Sequence, residues 1–121
     1  MRHVFAALCL SVALAGCGSS TSVAGTGTLP EACESLGASL CNRFFACDSA
    51  AADIAYGTAS QCASQFNSAQ ACSTAACGTG LTYNAANAQT CINDVDNLPC
   101  SDFTGGTPTQ PTSCNTSNIC Q

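Results

Sequence analysis

Twelve cysteines in 121 residues are the side chains with the most chemistry to offer. Thiolates can hold zinc, cycle through a redox motif, attack a substrate, or oxidise to crosslinks. Their spacing sorts these uses. No two stand as C-x-x-C: the close pairs Cys41/Cys47, Cys72/Cys77 and Cys114/Cys120 have five, four and five residues between them. Zinc thiolate sites and thioredoxin-like dithiols rest on the shorter spacing, so neither is expected. The single histidine, His3, lies at the very start of the chain. Beyond it there is no imidazole to complete a Ser-His-Asp triad or a Cys-His pair. The expectation is crosslinks, with no metal or other cofactor.

Seven carboxylates are the remaining candidates for catalysis. Glu31 and Glu34 fall in the first turn of a predicted helix, where negative charge suits the helix dipole. Asp94 and Asp96, in "NDVDN", resemble the start of a calcium loop but lack its sixth-position glycine and distal glutamate. On a helix they point about 200° apart and flank a stripe instead of converging. Asp48, Asp53 and Asp102 are read as loop residues, and nothing in their spacing builds the close carboxyl pair of a glycosidase. Arg43, in "CNRFFAC", is expected to pair with an acid or to snorkel at the surface. Phe45 lies off the buried stripe, either as an exposed contact or packed against the third predicted helix.

The N-terminus has the order of a secretory signal: basic "MRH", the apolar run Val4–Leu14, then small residues. Eleven apolar residues are too few for a lasting membrane span, which needs about 20. "ALA" at 13–15 would suit ordinary cleavage before Gly16. "LAGC" at 14–17 resembles the lipobox of bacterial lipoproteins. That resemblance implies removal of residues 1–16 and a diacylglycerol on the thiol of Cys17. Parity favours it. With Cys9 lost and Cys17 acylated, ten cysteines remain: Cys33, Cys41, Cys47, Cys62, Cys72, Cys77, Cys91, Cys100, Cys114 and Cys120. An exported compartment lets ten thiols form five disulfides. By the sorting rule of that family, Gly18 in place of aspartate implies the outer membrane.

Charge excludes other classes. Past residue 16 there is one arginine against seven acids, a side-chain balance of −6. Nucleic-acid binding needs several cations to displace counterions, and so does a polybasic membrane patch. Leu, Ile, Val and Phe number fourteen in those 105 residues, against seventeen alanines. So thin an apolar core calls for crosslinks.

The elements follow. Residues 17–27 form the lipidated cysteine and a Ser/Thr/Gly-rich tether, and 28–121 a single domain. Thr28 and Glu31 have capping-box spacing and open a helix to Cys47, with Cys33, Leu36, Gly37, Leu40, Cys41, Phe44 and Cys47 on one face. A loop is expected from Asp48. "TASQ" at 58–61 caps a second helix with Cys62, Ala63, Phe66 and Ala69 inward and Cys72 at the edge. Asn84 caps a third helix that buries Ala88, Cys91, Ile92, Val95 and Leu98 and stops at Pro99. Residues 104–121 read as an irregular Gly/Pro/Thr linker and a disulfide-tied tail. The fold class is therefore all-α: a small disulfide-stapled domain of about three helices with a loop-rich C-terminal tail.

A pairing scheme comes from helix rise. Cys33 and Cys41 are about 12 Å apart along a helix, and Cys62 and Cys72 about 15 Å. An antiparallel hairpin of the first two helices then joins Cys41 to Cys62 and Cys33 to Cys72. A third helix parallel to the first brings Cys100 to Cys47 and Cys91 to Cys77, and leaves Cys114–Cys120 as a tail loop.

The body, with ten cysteines on alanine-rich helices and a Gly/Pro/Thr tail, resembles the uncharacterised cysteine-rich lipoproteins of myxobacteria. Secreted elicitins look similar, but the lipobox argues against them. The sequence thus leads to a non-enzymatic, lipid-anchored envelope protein that binds, interacts or plays a structural part. A protein or polysaccharide partner suits its neutral hydrogen-bonding surface. The competing readings are a carboxylate-dependent envelope hydrolase and a soluble secreted protein.

Overall fold

The computed structural model describes residues 26–104 and 108–121. The expected signal peptide, Cys17 and the tether up to residue 25 lie outside the described residues.

Helix α1, Leu29–Cys47, begins with the expected capping box. The Glu31 N–H donates to Thr28 Oγ1 over 3.4 Å, and Glu31 Oε2 accepts from the Thr28 N–H at 3.0 Å. Two otherwise unpartnered helix donors are thereby satisfied. Asp48 ends α1 and starts α2, Ser49–Tyr56, its Oδ1 accepting from the Ala51 N–H at 3.0 Å. The sequence reads as a loop here, whereas the chain forms a helix. Four alanines in eight residues are strong helix formers, and an aspartate that ends one helix can cap the next. Asp53 consequently sits on a helix. Gly57, at φ +79°, lets the chain turn sharply into α3, Ala59–Ala69. Thr58 caps α3 through the Gln61 N–H at 3.1 Å.

Past α3 the chain passes through Ala71 in the left-handed region and a 3₁₀ turn, Cys72–Thr74. Asn84 caps α4, Ala85–Asp96, as expected, through the Asn87 N–H. The helix stops two residues before Leu98, where Asn97 closes the end by donating Nδ2 to the Asn93 carbonyl at 2.7 Å. Two further 3₁₀ turns, Cys100–Asp102 and Thr112–Cys114, lead to a short α5, Thr116–Ile119. Asp102 thus belongs to a 3₁₀ turn and not to an irregular loop. The domain is all-α, with an isolated antiparallel bridge between Tyr83 and Cys120.

Helix α1 is the centre, and α3 and α4 both pack on it. A Cβ on Gly37 would fall 2.5 Å from Phe66 Cδ1 and 2.6 Å from Asn67 Oδ1, so the glycine is what allows α3 to lie this close. The expected stripe of α4 is inside, with Ala88, Cys91, Ile92 and Val95 buried and Leu98 half-buried. Half of the twelve buried apolar residues are half-cystines: Cys41, Cys62, Cys72, Cys91, Cys114 and Cys120. Sulfur therefore fills space that leucine fills in richer cores.

Five disulfides are present: Cys33–Cys72, Cys41–Cys62, Cys47–Cys100, Cys77–Cys120 and Cys91–Cys114. The first three agree with helix-rise reasoning. The expected Cys77–Cys91 and Cys114–Cys120 pairs are not formed. Cys114 and Cys120 flank α5, and six residues at helical rise span about 9 Å, beyond the Cα separation a disulfide tolerates. The tail instead folds back on α4, placing Cys114 against Cys91 with their Cα atoms 4.7 Å apart. Gln121 and Thr82 exchange main-chain hydrogen bonds of 2.5 and 3.0 Å, which delivers Cys120 to Cys77.

The bridges form a simple plan. Cys41–Cys62 is nested inside Cys33–Cys72, and Cys91–Cys114 inside Cys77–Cys120. Cys47–Cys100 ties the first nest to the second.

Candidate functional site

A concavity lies where α1, α2 and α3 meet the turn after Cys100. It is a hollow of about 650 Å³. Leu40 and Phe44 come from the last two turns of α1, Tyr56 from the end of α2, and Phe66 from α3. Phe103 closes one side, and Gln65 and Ala69 form the α3 edge. The Cys41–Cys62 bridge lies in its lining.

The aromatic rings are held by identifiable means. Phe44 and Phe103 stack with centroids 5.9 Å apart and planes at 19°. Tyr56 meets Phe44 edge-on at 6.2 Å, and Phe45 meets it at 6.4 Å. Both offset stacks and edge contacts are favourable ring arrangements. Phe103 is buried, whereas Phe44, Phe45, Tyr56 and Phe66 are half-buried and keep part of each ring in solvent. The Phe44–Phe103 stack follows from the Cys47–Cys100 bridge. Phe44 precedes Cys47 by three residues on an α-helix, and Phe103 follows Cys100 by three at the end of a 3₁₀ turn. Three residues return to the same face in both helix types. Joining the two cysteines therefore joins the two rings.

The sequence leaves Phe45 two places and does not single out Tyr56, Gln65 or Phe103; in the fold Phe45 is half-buried and edge-on to Phe44. Two signals were present. Tyr56 closes a capped alanine helix, and Phe44 and Phe103 share the three-residue offset from cysteines expected to pair.

The carboxylates are dispersed. Glu31 and Asp48 cap helices, and Asp94 Oδ2 accepts from the Ser113 hydroxyl at 2.5 Å. Glu34, Asp53 and Asp96 are exposed. Ser101 Oγ reaches Asp102 Oδ1 at 3.5 Å. Among the described residues, no group of three or more His, Cys, Asp or Glu could hold a metal ion. Arg43, expected to pair with an acid or to snorkel at the surface, donates Nε to the Leu98 carbonyl at 2.7 Å. The guanidinium thus ties the end of α1 to the segment that leaves α4.

At the opposite end of α1 the chain enters the domain. The Tyr83 hydroxyl donates to the Thr26 carbonyl at 2.7 Å. Burial, and then the charge of Glu31, push the Tyr83 phenol above its ordinary value. From Thr28 to Phe44 the helix rises about 24 Å, so the entry point and the hollow lie at opposite ends. Among the described residues no helix is long and apolar enough to cross a membrane. No family model, curated protein or solved structure matches this chain.

Proposed function

We propose that this chain is an outer-membrane lipoprotein, acylated at Cys17, whose domain acts by binding and without catalytic turnover. The observation that carries the binding part is the aromatic hollow. Its volume of about 650 Å³ falls in the range of small-ligand pockets, about 300–1,000 Å³. It is lined by half-buried rings that a ligand would cover. A hydrolase reading needs two carboxyl groups facing one concave site, and the residues described around this hollow include no acid.

The anchoring part rests on the lipobox and is supported by the bridges. All ten cysteines from Cys33 to Cys120 are consumed in five pairs, which leaves Cys17 without a partner in the domain. With the chain entering at Thr26, attachment through Cys17 would leave the hollow at the far end of α1 from the point of entry. Outside the hollow, the exposed Ser, Thr, Asn and Gln side chains of the domain surface suit an uncharged protein or polysaccharide neighbour.

Two measurements test this. Detergent partitioning of wild type and Cys17→Ser should differ, the variant moving to the aqueous phase or stalling as precursor. Unchanged partitioning removes the anchor. The purified protein, incubated with isolated envelope polysaccharide, should be retained and release no product. Hydrolysis that disappears in Asp48→Asn, Asp53→Asn, Asp94→Asn, Asp96→Asn or Asp102→Asn with the fold intact would replace binding by catalysis.

A further inference from the structure

We infer that the hollow between Phe44, Tyr56, Phe66 and Phe103 is a site for a small molecule without negative charge that carries a flat ring. This deepens the binding reading above and rests on it.

The class of ligand follows from what the walls offer. Phe44 and Phe103 are already stacked at 5.9 Å, and Tyr56 stands edge-on to Phe44 at 6.2 Å. Phe44, Tyr56 and Phe66 each retain solvent-exposed ring surface at the cavity. A flat ring gains most from such a wall, because offset stacking and edge contacts add to the burial of area. The polar groups at the site are few: the amide of Gln65 and the phenol of Tyr56. One or two polar groups orient a small molecule in an apolar pocket. A sugar strand would need a row of donors and acceptors that this lining does not provide.

Charge decides the rest. The cavity has neither a cation nor a carboxylate in its described lining, and the one arginine past the start is turned to the Leu98 carbonyl. An anionic ligand would lose hydration with no cation to replace it. The protein's net negative charge further opposes an anion. The volume of about 650 Å³ sets the scale at one molecule of drug size.

Crosslinks hold part of the wall, and Tyr56, on the cysteine-free α2, is held by its edge contact with Phe44. Cys41–Cys62 fixes α1 to α3, and Cys47–Cys100 fixes the turn carrying Phe103 to the end of α1. These two struts reduce the ordering that would oppose binding.

The test uses Cys17→Ser protein recovered from the aqueous phase, free of detergent that would take up a dye. N-phenylnaphthylamine is uncharged; anilinonaphthalene sulfonate has the same ring system with a sulfonate. Fluorescence of the first should rise and saturate at one dye per chain, and the second should bind at least about tenfold more weakly. Ala69→Trp fills the cavity from an exposed helix position and should abolish saturable binding with far-UV circular dichroism unchanged. If that variant loses helix, Gln65→Trp at the exposed edge gives the same reading. Absence of saturation, equal binding of the two dyes, or unaltered binding in the blocked variant overturns the proposal. Failure of the dyes with envelope retention intact overturns this ligand class alone. Dye binding without retention overturns the envelope partner alone.

Discussion

Replacing Cys47 and Cys100 together by alanine tests the architecture most directly. This bridge is the strut between two nests that are otherwise joined only by chain and packing. It also has the longest sequence separation, 53 residues, against 43, 39, 23 and 21 for the others. Restricting the unfolded chain over such a loop is worth about 4 kcal/mol by loop-closure entropy. The other four bridges already shorten the covalent path between these cysteines, so the loss should approach about 3 kcal/mol. At about 4–8 °C per kcal/mol for a domain of this size, the melting temperature should fall by at least about 12 °C. The effect should also be local. Phe44 and Phe103 lose the crosslink that sets their stack, so near-UV circular dichroism should weaken while far-UV signal persists below the transition. Thermal melts followed at both wavelengths measure the two quantities. A fall under about 5 °C with an unchanged near-UV spectrum would refute the strut and the link from bridge to rings.

Other outcomes follow from single contacts. Gly37→Ala should destabilise by about 1–2 kcal/mol in denaturant unfolding, since overpacking at Phe66 and Asn67 outweighs the gain in helix propensity. Thr28→Ala should cost about 1 kcal/mol by removing the cap of α1, with Thr28→Ser restoring most of it. The Tyr83 phenol is raised in the folded state, so the native protein holds this proton more tightly than the unfolded chain does. Its contribution is therefore complete below the unfolded value near 10 and declines as pH rises through the folded value. Stability measured against pH should fall above about pH 10, and Tyr83→Phe should flatten that fall while costing about 1 kcal/mol at neutral pH through the lost Thr26 bond. Intact mass of the native protein should lie ten hydrogens below its reduced form; two or more alkylatable thiols would contradict the five bridges.

Local chemistry was legible in the sequence because its causes lie within a few residues. The caps at Thr28, Thr58 and Asn84 all formed as their spacing required, since each hydrogen bond spans three residues. The α4 stripe is buried because a 3.6-residue period is written directly in residue order. Even three disulfides were accessible, because rise along a helix converts sequence distance to length. Asp48 is the instructive miss: a residue that stops one helix and starts the next has two local meanings, and "DS" alone favours the loop.

What only the tertiary structure decided is how the tail folds back. Nothing within residues 104–121 states that Cys114 will meet Cys91 or that Cys120 will meet Cys77. Those partners are 23 and 43 residues away, and the pairing depends on Gln121 bonding to Thr82 and on the Thr112–Cys114 turn covering α4. The hollow is of the same kind. Phe44, Tyr56, Phe66 and Phe103 have no common period and belong to four separate segments. They converge because α1 holds α2, α3 and the Cys100 turn on one end of its length, and such convergence is a property of packing, not of residue order.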